Sequence, residues 1–104
     1  MSARNERIQE SVRATAAEFL AREAGRQSMI TVTAVHVSED GRRALVFITV
    51  FPDTSEASAL AFAQRSRSEL NTAFKKHARG ASLPFLEFRI DQGEKNRQRL
   101  DELS

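Results

Sequence analysis

Two runs rich in β-branched residues, MITVTAVHVS (29–38) and ALVFITVF (44–51), flank Asp40-Gly41, and no other feature restricts the fold of this chain as much. Glycine accepts the positive φ that a tight turn demands, so the pair of runs predicts a β-hairpin. The second strand, Ala44 to Phe51, is apolar at nearly every position, which predicts a central place in a sheet or cover on both faces. Pro52 ends it, because proline cannot donate to a strand ladder.

Helical patterns bracket the hairpin. Ile8, Val12, Ala16, Phe19 and Leu20 recur at three- and four-residue steps and predict an amphipathic first helix, with Asn5 as its cap, Glu6 at the positive end of its dipole and Gly25 closing it. After Pro52, Asp53 and Glu56 read as a capping box that opens a helical stretch running to about Ala78, with Gly80 beyond it. Leu83-Pro84 then lead into FLEFRID, where Leu86, Phe88 and Ile90 alternate with Glu87 and Arg89 as in a half-buried third strand. The long helical connection allows that strand to run parallel to a neighbour. Asp91 and Glu94 suggest a second cap, starting a short polar helix over about 93–103 anchored by Leu100 and Leu103.

The stretch from Asp53 to Ala78 contains a conflict. On a straight helix at 100° per residue, Leu60, Ala63, Arg67, Leu70, Phe74 and Ala78 share one face, with Arg67 in the middle of the apolar stripe and Phe62 near the opposite side. Burying an unpaired guanidinium costs several kcal/mol, about as much as a small domain's whole stability. Serine hydroxyls compete for backbone groups and bend helices. A kink at Ser66-Arg67-Ser68 is therefore expected, giving two helices in series with Arg65 and Arg67 turned to solvent. The competing expectation is an unbroken helix with Arg67 paired to Glu69 or Glu56.

Bulk properties narrow the function classes. The 104 residues suit a single domain spanning 1–104, and 40% hydrophobic with 29% charged residues describes a globular protein. No apolar run is long enough for a membrane span, the N-terminus lacks a secretory core, and there are no cysteines, so the expected location is the cytoplasm. A monomer is the default expectation, since nothing in the sequence specifies an oligomer. The formal charge is only +2 with a pI of about 9.7, yet Arg65, Arg67, Lys75, Lys76 and Arg79 face a single acid, Glu69, across one stretch. Guanidinium groups grip phosphate in a bidentate way, so this patch points toward nucleic acid. Neither His36 nor His77 stands at a metal-ligand spacing, and no P-loop, dinucleotide fingerprint or nucleophile elbow is present. No catalytic residue, metal or cofactor is expected.

The order helix, strand, strand, helix, kink, helix, strand predicts an α+β fold of KH type II-like order, a three-stranded mixed sheet packed against helices. The G-x-x-G loop of ordinary KH domains is missing. RNERI, ITVTAVHVSEDGRRALVFITVF with its S-x-D turn, the Ser-Arg-Ser break and LPFLEFRID together resemble the ribosome-binding factor A family over about Arg4 to Leu103. In that family an interhelical kink, usually Ala-x-Gly, replaces the G-x-x-G loop, and Ser66-Arg67-Ser68 stand in its place here. Pro84-Phe85-Leu86 stand where the family usually has Pro-Glu-Leu, so an aromatic side chain replaces an acid.

The resemblance implies a non-catalytic assembly factor that binds the small (30S) ribosomal subunit and assists late maturation of its 16S rRNA. Phosphate contacts would come from Arg65, Arg67, Lys75, Lys76 and Arg79, with help from Arg4, Arg7, Arg42 and Arg43. With no Trp or Tyr and the phenylalanines expected mostly in the core, base stacking should contribute little. The alternative is a protein-interaction domain that uses an apolar sheet face carrying Phe47, Phe51 and Phe85.

Overall fold

The computed structural model describes residues 3–23, 28–77 and 83–103. Its elements follow the order α1 (Ala3–Glu23), β1 (Met29–Val37), β2 (Arg43–Phe51), a 3₁₀ turn (Asp53–Ser55), α2 (Glu56–Arg65), α3 (Arg67–His77), β3 (Phe85–Ile90) and α4 (Gln92–Leu103). The expected closing glycines Gly25 and Gly80, and Arg79, lie outside the described residues, as do the side chains of Arg4, His77 and Leu103.

The three strands form one mixed sheet in the order β1-β2-β3, with β2 antiparallel to β1 and parallel to β3. The nearly continuous apolar run therefore occupies the centre. Ala44, Val46, Ile48 and Val50 of β2 point to the helix-covered face together with Leu86 and Phe88 of β3. Val12, Ala16 and Leu20 of α1, Ala59 and Ala63 of α2, and Leu70 and Phe74 of α3 complete that core. Each large side chain so buried stabilises the fold by about 1.5–3 kcal/mol relative to exposure.

Strand β1 carries a bulge. Val32 pairs with Ile48 and Ala34 with Phe47, leaving Thr33 as the extra residue. The core-facing positions accordingly shift from Ile30 and Val32 to Val35. The Thr33 hydroxyl donates to Asp91 Oδ2 at 2.6 Å, joining β1 to the end of β3 across the central strand. Asp91 Oδ1 accepts from the Glu94 amide at 3.0 Å and so caps α4, as the spacing predicts.

Three local expectations are corrected. Asn5 lies inside α1 rather than at its cap, and its buried amide donates to the carbonyls of Ser38 and Glu39 at 3.2 and 3.0 Å, tying the helix to the hairpin turn. That long-range pairing satisfies turn carbonyls which an N-cap role would leave without this partner. Asp53 and Glu56 do not form a capping box; Asp53 opens a 3₁₀ turn, and the N-cap position of α2 is Ser55, without a side-chain capping bond. Both carboxylates instead receive Lys95 of α4, at 3.7 Å from Asp53 and 2.9 Å from Glu56. Leu100, expected to anchor α4, is 67% exposed. An ion pair and an Asp cap hold this helix where an apolar stripe is too thin to do so.

The Asp40-Gly41 turn is built as the hairpin signal requires, with Gly41 at φ +74°. Asp40 Oδ1 accepts from Ser38 Oγ at 2.6 Å and from the Arg42 amide at 3.0 Å, and these bonds hold its carboxyl below the usual range.

The hydrogen bonds from Thr33 and then from the Glu94 amide likewise lower the pKa of Asp91. A depressed carboxylate adds stability that is present above its unfolded-state pKa and is lost as pH falls through the lower folded-state value. Asp91→Asn keeps a capping oxygen but loses the ionised acceptor of the Thr33 hydroxyl, and should lower stability at neutral pH by about 1 kcal/mol. Urea unfolding should show the gap to the wild type closing below pH ~4.

Candidate nucleic-acid interface

Helix α2 ends at Arg65 and α3 begins at Arg67, with Ser66 between them at φ −88°, ψ 12°. Ser66 is 4% exposed, and its hydroxyl donates to the Phe62 carbonyl four residues back at 2.8 Å. Its amide is shared between the carbonyls of Phe62 and Ala63, while its own carbonyl accepts from the Leu70 amide. Serine back-bonding of this kind bends helices. Neither Ser66 nor Ser68, the latter at the family's glycine position, has a positive φ, so glycine's left-handed freedom is not needed at the break. Ser68, by contrast, is exposed in the first turn of α3.

The break changes which residues meet the core. Ala59 and Ala63 face it before Ser66, and Leu70 and Phe74 after it. Phe62, on the far side of a straight helix, instead stacks on Phe19 of α1 at 6.2 Å between ring centroids. Arg67 leaves the apolar stripe without reaching open solvent, which corrects the expected orientation. It is half-buried against β3, where its Nη2 donates to the Leu86 carbonyl at 3.2 Å and its Cζ lies 3.9 Å from the centroid of the Phe85 ring. No pairing with Glu69 or Glu56 is observed among the described residues; Glu56 is held by Lys95.

The backbone explains this docking. The amides of Phe85 and Asp91 donate to Arg42 and Ile48, so the odd positions of β3 turn toward the hairpin. Leu86, at an even position, turns its carbonyl to the free edge of the sheet. An unpaired edge carbonyl attracts other chains, and the guanidinium covers this one. Arg67 Nε is buried without a hydrogen-bond partner among the described residues, so the cation–π contact and the Leu86 bond, with a longer 3.5 Å contact from Nη2 to Gln64 Oε1, offset its burial.

The strand pairing brings the backbone of the hairpin arginines beside Phe85. Arg43 pairs in register with Phe85, the Arg42 carbonyl accepts from the Phe85 amide, and both arginines are exposed, Arg42 in the hairpin turn and Arg43 at the start of β2. Arg65, also exposed, closes α2 two residues before Arg67. Lys75 and Lys76 are exposed but stand about 12–14 Å further along α3, where Lys76 lines a small hollow with Glu18 and Arg22 of α1. Arg7 is exposed near the start of α1. The expected single patch is thus two groups, one at the helix break and one along the far end of α3.

Sequence reasoning missed the bridging part played by Phe85. Its signal was the aromatic at the first position of an otherwise alternating strand, Phe85-Leu86-Glu87-Phe88-Arg89-Ile90. Among the described residues no His, Cys, Asp or Glu cluster could hold a metal ion, and no helix is long and apolar enough to cross a membrane.

Comparison with known proteins supplies the decisive observation. The pattern of the family described as "Ribosome-binding factor A" matches residues 4–104. The chain belongs to the ribosome-binding factor A family. A relative of that name from Gemmatimonas aurantiaca is 31% identical across 96% of this chain and 71% of its own length. The crystal structure of ribosome-binding factor A from Thermus thermophilus superposes with a TM-score of 0.71 at 26% identity, covering 85% of this chain and 97% of that one. A homology model of the Thermus thermophilus factor, fitted into the cryo-EM map of its 30S complex, matches at a TM-score of 0.69 and 26% identity over 83% of this chain and 93% of that chain. The mixed sheet and paired helices are thus a KH-like fold, as their order predicts.

The two serines at the break are not equivalent. Ser66→Ala should lose about 1 kcal/mol with its buried hydroxyl bond, whereas Ser68→Ala should stay within about 0.5 kcal/mol of the parent. Urea denaturation of the two variants separates these outcomes.

Proposed function

We propose that this protein is a non-catalytic, cytoplasmic assembly factor, acting as a monomer, that binds the small ribosomal subunit through its RNA and assists late maturation of 16S rRNA. The observation that supports the reading is that exposed Arg42 and Arg43 adjoin Phe85 through the strand pairing while Phe85 carries Arg67, with exposed Arg65 two residues before Arg67, in a chain of the ribosome-binding factor A family. The hairpin and the α2–α3 break, distant in sequence, both supply cations beside residues that touch Phe85. That arrangement suits phosphates spaced along a folded RNA better than a single compact anion.

The roles divide by burial. Arg42, Arg43 and Arg65 are exposed and reach phosphate directly. Arg67 is committed to Phe85 and Leu86 and acts by shaping the surface. Lys75, Lys76 and Arg7 widen the positive field, and Arg4 and Arg79 belong to the same reading from their place in the sequence.

A second reading, a protein-binding sheet face, is favoured by one observation. Met29 and Phe51 pair across the end of the hairpin at 67% and 70% exposure. Cosedimentation with purified small subunits between about 50 and 200 mM salt discriminates the two. Replacing Arg42, Arg43 and Arg65 with glutamine should flatten the log–log salt slope by about 2–3, at roughly 0.7–0.9 per lost phosphate contact. An unchanged slope with the fold intact would assign binding to the sheet face instead.

A further inference from the structure

On the sheet face opposite α1, α2 and α3 lies a shallow groove of about 490 Å³, walled by Phe85 and including His36, Leu45, Glu87, Arg43 and Arg89. The register explains its layout. His36, Leu45 and Glu87 form one row across the three strands, Arg43 and Phe85 form the row on one side, and Phe47 and Arg89 the row on the other. The groove is therefore a band of sheet with an aromatic and a cation at one end and a second cation at the other.

Its chemistry is specific. Phe85 is 50% exposed although the Arg67 guanidinium lies over its ring, which leaves apolar aromatic surface in the groove. Glu87 is held by Arg89 at 3.0 Å, and a carboxylate has more acceptor sites than that one bond uses. Arg43 and Arg89 are both exposed.

We propose that this groove binds one unpaired ribonucleotide, its base stacked on Phe85, its exocyclic amino group donating to Glu87 and its phosphates flanked by Arg43 and Arg89. The volume falls within the range of small-ligand clefts. The excess of cations, with Arg42 and Arg67 adjoining, suits an anionic ligand. Stacking aromatics on an open sheet face are a general way to hold splayed bases, and duplex bases cannot present a free ring face. Phe85 thereby gives the protein the stacking platform that its composition argued against. The inference rests on the partner being RNA.

The test uses the full chain and short single-stranded RNAs of roughly eight nucleotides, oligo-A and oligo-U, beside a duplex RNA of similar length. Amide chemical shifts are followed by NMR, and cosedimentation with small subunits is measured in parallel. Oligo-A should move the amides of Leu45, Phe85 and Glu87 and bind more tightly than oligo-U, which lacks an amino donor, and than the duplex. Phe85→Leu keeps apolar bulk over Arg67 but removes the ring, and should weaken oligo-A binding by about fivefold or more. Equal affinity of the folded Phe85→Leu variant, shifts confined to α2 and α3, or equal binding of the duplex would overturn the proposal. So would an acidic peptide that saturates the same amides when RNA does not, which would assign the groove to a protein ligand. Small-subunit binding without oligo-A binding would overturn this inference alone, whereas loss of both would also remove the proposed function.

Discussion

An arginine at the centre of an apolar helical stripe is a contradiction that the backbone must resolve, and the rest of this structure follows from how it does so. Left straight, the segment from Glu56 to His77 would drive Arg67 into the core with Leu70 and Phe74. Ser66 resolves the conflict locally by turning its hydroxyl back onto the Phe62 carbonyl and stepping out of helical geometry for one residue. The cation then finds a place at the margin of the core, on the ring of Phe85 and the outward carbonyl of Leu86. One side chain thus joins the helix break to the edge of the sheet, and the hairpin arginines meet it there because Phe85 pairs with Arg43.

The opposite end of the molecule is fixed by polar contacts with little apolar support. Thr33, displaced by the bulge, bonds to Asp91, whose other oxygen starts α4, and Lys95 of that helix then bridges to Asp53 and Glu56. Such contacts stabilise less than a packed stripe and are screened by salt, so the seating of α4 weakens at high ionic strength and on protonation of Asp91. The helix-break end stands on a continuous apolar core through Ala63, Leu70 and Leu86, which suits a surface that must keep its arginines in fixed relation.

Much of the fold was legible from pattern alone. The Asp40-Gly41 turn, the central β2 and the amphipathic α1 follow from short-range rules of turn chemistry and periodicity, and the structure builds each from those residues. The position of the helix break followed from a conflict between periodicity and the cost of burying charge. Long-range polar pairings were not legible. Asn5 has the composition of a cap but serves a turn more than thirty residues away, and Asp53 and Glu56 have the spacing of a capping box but serve Lys95. The bulge did leave a trace, since the apolar positions change parity between Val32 and Val35. The landing place of Arg67 needed the register of β3 against β2, which no local pattern in the sequence contains.

The central claim is that Ser66 breaks the helix so that Arg67 can lie over Phe85. Backbone carbon and Arg67 side-chain proton shifts, measured together by NMR, test it most directly. The account predicts helical carbon shifts on both sides of a single non-helical residue at Ser66, with the Arg67 protons moved upfield by the Phe85 ring. Unbroken helical shifts from Glu56 to His77, with Arg67 protons at the positions of a freely solvated arginine, would contradict it.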